Sequence, residues 1–277
     1  MHGWINLAPF FWQAAEQTLG FALLLDEAAV EIKVKQLEDC SLQAEIFSLC
    51  RLDKEQKQRI DNAIVRALDL NTDTAELYEL SLSINKQYGE LVKKGAGRLL
   101  RAPTLWEDAA KTLFTTNCSW HLTRQMCSAA CSSNFVPVAV PGQFPFPAAK
   151  KITRLSEAKI KEKMRVGYRA SFIKKLAAQL ADSRRLSAIE HMNEEALRHF
   201  FSSLAGFGPY ATNHMMNLSG YYDQIPVDTV VKAYLLKYHH TDESAAFIEE
   251  HFAIWGSYRW WGLKLEQIAN NANWLGD

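Results

Sequence analysis

Residues 204–229 read LAGFGPYATNHMMNLSGYYDQIPVDT. The segment before it, NEEALRHFFSSL (193–204), has helical spacing, with Phe200, Phe201 and Leu204 turned inward. That helix stops at Ala205-Gly206-Phe207-Gly208. Pro209, a residue well tolerated in a first helical turn, opens the next one. The stretch therefore predicts two helices joined by a Gly-x-Gly turn, a helix-hairpin-helix over 194–218. Such glycines serve one of two ends. They satisfy the geometry of the turn itself, or they let backbone N–H groups and the positive end of a helix dipole approach a phosphate. The second helix puts Tyr210 and His214 four residues apart on one face. A turn at Ser219-Gly220 leads to a second one over 225–229. There Asp228 precedes the periodic TVVKAYLL and is a candidate N-cap.

The rest of the chain supplies the frame. Its 277 residues are 48% apolar, enough for a substantial core in one large or two smaller domains. No apolar run is long enough to span a bilayer, and MHGWINLAPFF does not read as a signal peptide. We therefore expect a soluble intracellular protein with no membrane partner. The five cysteines, Cys40, Cys50, Cys118, Cys127 and Cys131, form no CxxC, and their number is odd, which argues for reduced thiols. Cys127 and Cys131 share a helix face near His121 and Cys118. Buried thiols are the commoner use of such a pattern and zinc ligation the rarer one.

The formal net charge is zero, which argues against a nonspecific polycation. The charges are unevenly distributed. Residues 1–80 hold fourteen Asp/Glu against seven Lys/Arg, and residues 150–175 hold ten Lys/Arg against two Glu. That basic stripe reads either as a solvated helix face or as a phosphate-binding surface.

Residues 1–60 read as a small N-terminal antiparallel sheet domain, with VEIKVKQ alternating as a half-buried strand does. Residues 61–277 read as a helical domain. Its amphipathic segments include LDKEQKQRIDNAIVRALDL, TAELYELSLSINKQYGELVKK, TLWEDAAKTLFTTN and SWHLTRQMCSAACSS. Thr104 with Glu107 forms a capping-box pattern. NFVPVAVPGQFPFPAAK, with four prolines, is a loop or linker. The fold class expected is α+β, mostly α.

The pairing of LAGFGPYA with PVDT resembles the signature of the HhH-GPD superfamily of DNA glycosylases. GRLLRAPTLWEDAAKTLFTTNCSW (97–120) and RVGYRASFI (165–173) are similar to further segments of the family, and ALDLNTDTAELY (67–78) to the region before the helical domain of its 8-oxoguanine members. The likeness as a whole is to the 8-oxoguanine and 3-methyladenine glycosylases. The resemblance runs from about residue 60 to 240. It implies a base-excision enzyme acting on double-stranded DNA that holds a damaged, flipped base, and a chain that works as a monomer. The compartment would be the bacterial cytoplasm at the nucleoid, or the nucleus in a eukaryote.

The same resemblance implies roles for residues. Asp228 would be the essential carboxylate. Gly206, Gly208 and Tyr210 would hold DNA phosphate, with a monovalent cation as a possible companion. Tyr168 and Arg169 would wedge into the gap and contact the opposite base, and Asn117 would contact that same base. Tyr210 and His214 would line the base pocket together with Trp255, Tyr258 and Trp261 from the C-terminal segment FAIWGSYRWWGLKL. Those aromatics would stack on a flipped base, although aromatics at helical spacing are more often core.

Four positions depart from the pattern. Leu122 stands where an arginine is expected, His214 replaces a pocket residue, and Val230 sits where a histidine often follows the aspartate. Tyr210 occupies the position of the lysine that forms a Schiff base in bifunctional members, and a phenol cannot form an imine. The expectation is a monofunctional glycosylase that uses water, with no lysine in 204–229 to replace the missing one. No cysteine follows Cys131, so no iron-sulfur cluster is expected; nor is any other metal or cofactor. Candidate lesions are alkylated purines, then oxidised guanine, then deaminated or mismatched bases. The alternative is a catalytically inactive helix-hairpin-helix module that senses damage. A third class, a helical protein-interaction domain, would leave the aspartate, the glycines and the basic stripe unrelated.

Overall fold

The computed structural model describes residues 2–26, 28–39, 41–132, 144–242 and 244–270. In chain order the strands are β1 (His2–Gly3), β2 (Phe11–Gln13), β3 (Thr18–Leu25), β4 (Ala28–Gln36) and β5 (Leu42–Phe47), with β6 (Leu99–Leu100) far downstream. The helices are α1 (Lys54–Ala67), α2 (Ala75–Ile84), α3 (Lys86–Lys93), α4 (Leu105–Thr115), α5 (Trp120–Ser132), α6 (Ala149–Thr153) and α7 (Glu157–Met164). They continue as α8 (Ala170–Leu180), α9 (Ser183–Glu190), α10 (Glu194–Ser203), α11 (Pro209–Leu218), α12 (Thr229–His239), α13 (Ser244–His251) and α14 (Arg259–Ala269). The expected α+β, mostly helical class holds. No described helix is long and apolar enough to cross a membrane.

The proline-rich segment falls largely on 133–143, outside the described residues; 144–148 is irregular chain before α6. The division at residue 60 follows composition. The packing instead gathers residues 3–68 and 100–191 into one compact unit, and 1–2, 69–99 and 192–277 into another.

The first unit holds the four-stranded antiparallel sheet, in the order β2-β3-β4-β5. β3 pairs with β4 from Thr18↔Lys35 to Leu25↔Ala28. β3 is almost wholly buried, so its apolar run needs no alternation, whereas β5 is an exposed edge. Helices α1 and α4–α9 complete this unit. In α4, Glu107 of the first turn and Lys111 form a buried ion pair at 2.6 Å. Thr104 caps α4 by accepting from the Glu107 N–H at 3.2 Å, but the expected reciprocal half of the capping box is missing. The Glu107 carboxylate has gone to Lys111, where a buried ammonium outcompetes an N-cap amide.

The second unit is helical. TAELYELSLSINKQYGELVKK, expected as one helix, is two. Asn85 adopts an extended backbone and its side chain accepts from Gln87 N at 2.9 Å, ending α2 and capping α3. The C-terminal segment is likewise broken before α14, where Gly256 takes φ +52°.

Candidate active site

The hairpin lies in the second unit. Asn193 caps α10 by accepting from Ala196 N at 2.9 Å. Gly206 has φ +89°, a left-handed conformation that favours glycine, and this turns the chain. Gly208 differs. Its φ is −88°, and a Cβ built there meets no atom within 4 Å. Neither strain nor packing asks for glycine at 208. Gly208 is also the N-cap of α11 and offers no side chain to the first-turn amides, while Pro209 removes one of them. The start of α11 thus presents backbone donors and open space. On α11 the rings of Tyr210 and His214 lie parallel within 4°, their centroids 6.0 Å apart.

Asp228 caps α12 as the local pattern predicts. Its Oδ1 accepts from Val231 N at 2.8 Å, and its Oδ2 has no hydrogen-bond partner among the described residues. One oxygen is fixed by the helix and the other is available. Sequence reasoning missed a neighbour of this carboxylate. Lys264, on α14, lies outside the 204–229 window and interacts electrostatically with Asp228. Burial pushes the Lys264 ammonium down to about 8, and the Asp228 charge opposes that shift. Lys264 Nζ donates to Gln267 Oε1 at 3.0 Å and lies 5.7 Å from the centre of the Trp260 ring.

The aromatics of the C-terminal segment divide differently from the expectation. Trp255 and Trp261 are core residues, 4% and 1% exposed. A Cβ on Gly262 would come within 2.5 Å of the Trp255 ring, and one on Gly97 within 2.7 Å of Trp261, so the two glycines press against these indoles. Their faces are taken by packing. The Tyr258 hydroxyl donates to Glu76 at 2.9 Å. Trp260, which the sequence reading passed over, is the indole beside Lys264.

The residues expected to read the opposite base lie in the first unit. Asn117 follows α4 with φ +47° and is exposed. Tyr168 is 58% exposed and lies edge-on to Phe172. Arg169, expected to reach a base, is buried at 6% exposure. Its Nε donates to Leu113 O at 3.1 Å and its Nη2 to Thr116 O, while its guanidinium lies 4.6 Å from the Tyr168 ring. The side chain satisfies carbonyls at the C-terminal end of α4, where a cation is favoured. It thereby holds the turn that presents Asn117. Leu122 is 48% exposed.

Part of the basic stripe borders an open cleft of about 750 Å³, lined by His121, Arg124, Lys163 and Arg165 among others. The thiols nearby are poor metal ligands. Burial pushes Cys127 up to about 12 and raises Cys131 well above its usual value.

The fold is similar to that of solved DNA glycosylases, and two structures make the likeness concrete. The 3-methyladenine DNA glycosylase of Archaeoglobus fulgidus superposes with a TM-score of 0.70 at 16% identity, covering 96% of this chain and 91% of its own. The Clostridium acetobutylicum 8-oxoguanine glycosylase/lyase, bound to double-stranded DNA with cytosine opposite 8-oxoguanine, gives 0.70 at 17% identity, covering 98% and 93%. At these identities the likeness establishes the fold. No protein-family model matches the sequence, and a search of curated proteins found no match.

Proposed function

We propose that this chain is a monofunctional DNA glycosylase of base excision repair that flips a damaged purine base and hydrolyses its N-glycosidic bond with water. The observation that carries the reading is the half-engaged Asp228 carboxylate, set in the same compact unit as a hairpin whose Gly208 leaves space unfilled. Cleavage develops oxocarbenium character on the deoxyribose. A fixed carboxylate stabilises that charge and orients the attacking water. The hairpin amides hold a backbone phosphate, and the target base leaves the stack because its bond is out of reach in the duplex. Exposed Tyr168 fills the gap, Asn117 faces the orphaned base, and Arg169 positions the Asn117 turn. The chain works as a monomer.

The test is base release from duplexes carrying 3-methyladenine-type, 8-oxoguanine, hypoxanthine or uracil lesions, each run with and without hot alkali and with borohydride. We expect strand scission only after alkali and no borohydride-trapped adduct, because the hairpin offers Tyr210 in place of an amine. Scission without alkali, with an adduct lost in Lys264→Ala, would overturn the monofunctional reading and assign the amine to Lys264. Absence of release from every lesion, with abasic-site DNA still bound, would favour the damage-sensing alternative that the altered His214 and Val230 positions allow.

A second prediction isolates the hairpin. Gly208→Ala places a methyl group in open space, so the circular-dichroism spectrum should stay that of the parent. The methyl blocks phosphate approach. Affinity for abasic-site DNA should fall about 10- to 100-fold, the loss expected for hydrogen bonds to a charged group. Unchanged affinity would remove phosphate binding from Gly208.

A further inference from the structure

Three helices of the second unit bring two imidazoles and a carboxylate to one point. His239 ends α12, His251 ends α13, and Glu266 lies in the last turn of α14. His239 Nε2 is 2.6 Å from Glu266 Oε1, and His251 Nε2 is 2.8 Å from Glu266 Oε2. The ligand atoms of all three residues lie within 4.8 Å of one another. The Tyr234 hydroxyl donates to Glu266 Oε1 at 2.7 Å and accepts from Asn270 Nδ2 at 2.9 Å. The Phe247 ring lies 4.7 Å from both imidazoles and stacks on that of His251. The carboxylate and both rings are therefore oriented from behind. Side-chain exposure rises from 12% at Glu266 and 17% at His239 to 38% at His251, so the cluster opens to solvent on one side.

Two imidazole nitrogens and one carboxylate, with an open fourth side, are a donor set that suits zinc. An ion at about 2.0–2.2 Å from each donor places those donors about 3.4 Å apart. The imidazole–carboxylate contacts are shorter than this, as expected where a proton rather than an ion bridges them. Small side-chain shifts would open them to coordination distance. A carboxylate held by a tyrosine hydroxyl is the outer-shell support that metal ligands commonly carry. We propose that His239, His251 and Glu266 form a binding site for a divalent transition-metal ion of the zinc class, with solvent completing the coordination beside His251. The ion would clamp the C-terminal ends of α12 and α13 to α14. Because Asp228 is the N-cap of α12, the clamp would anchor the far end of the helix that this carboxylate caps. The inference does not depend on the glycosylase reading.

The test uses the full chain, stripped with a chelator and titrated with Zn²⁺. We expect one ion retained per chain after gel filtration and a rise in melting temperature on loading, because an ion that binds only the folded state stabilises it. Mg²⁺, which prefers all-oxygen octahedral sites, should leave the melting temperature unmoved. Co²⁺ loading should give visible bands without a thiolate charge-transfer band. His251→Ala and Glu266→Gln should each weaken Zn²⁺ by at least the ~100-fold that loss of an outer-shell partner can cost. His251 is the most exposed of the three, so His251→Ala also serves as the variant that keeps its fold, checked by circular dichroism without metal. Failure to retain zinc would overturn the proposal. So would zinc affinity indifferent to both substitutions, or a thiolate band, which would move the ion to the cysteines.

Discussion

Asp228→Asn should abolish base release while leaving the fold and DNA binding in place. The carboxylate has two separable jobs. As an N-cap it accepts from Val231 N at 2.8 Å, and asparagine caps a helix about as well as aspartate, so the capping contribution to stability should be kept and only the interaction with Lys264 lost. In the proposed mechanism its negative charge faces the charge that develops on the sugar, and a neutral amide cannot replace it there. Single-turnover release measured after alkali should fall by about 10²–10³-fold or more, the range for losing one preorganised electrostatic contact. The dissociation constant for abasic-site DNA should move little. Asp228→Ala separates the terms further, since it should lose activity equally and also ~1 kcal/mol of helix stability. Full activity in Asp228→Asn would show the aspartate to be a cap alone and would remove the central element of the proposed mechanism.

What could be read from the chain alone follows the range of the forces involved. The hairpin was legible because it is local: Gly206 is needed for a positive φ, Pro209 suits a first turn, and Asp228 caps the residues just after it. The four-stranded sheet was legible from β-branched runs separated by acidic turns. Helix breaks were less so. Asn85 sits in an unbroken amphipathic period, and its capping hydrogen bond, worth about as much as a turn of marginal helix, decides the break. Convergent sites were not legible at all. Lys264 is 36 residues from Asp228 in sequence, and His239, His251 and Glu266 lie in the last turns of three different helices. Only tertiary packing brings such groups together. Arg169 shows a subtler limit. Its motif is local, but the structure commits its guanidinium to the carbonyls of Leu113 and Thr116, more than fifty residues upstream, and that partner was invisible in the motif. The tryptophans show the same limit. Helical spacing marks Trp255 and Trp261 as one face, whereas Gly262 and Gly97 decide that the face is packed.

Lys111→Met should be the most destabilising single change in the sheet-bearing unit. Lys111 is fully buried, with Nζ 2.6 Å from Glu107 Oε1, 3.5 Å from Leu7 O and 4.8 Å from the centre of the Phe10 ring. Glu107 is 4% exposed. Methionine fills nearly the same space, so the loss is electrostatic: a carboxylate remains in the core without its cation. Breaking one partner of a buried pair costs about 3–5 kcal/mol, which at this chain length lowers the melting temperature by on the order of 10 °C. The pH dependence follows from the sign of the Glu107 shift. Burial raises its pKa above the usual 4.5 and Lys111 pulls it back, so removing the lysine raises it further. The folded variant then binds a proton that the unfolded chain has released, and folding gains stability as the pH falls through that interval. The gap in melting temperature between Lys111→Met and the parent should be full at neutral pH and narrow toward pH 4.5. The double substitution Glu107→Leu with Lys111→Met should recover most of the loss, because a buried pair exchanged whole for apolar groups is often neutral. A gap that widens on acidification, or a double variant no more stable than Lys111→Met, would mean that Lys111 acts through packing on Trp4 and Phe10 rather than through its charge.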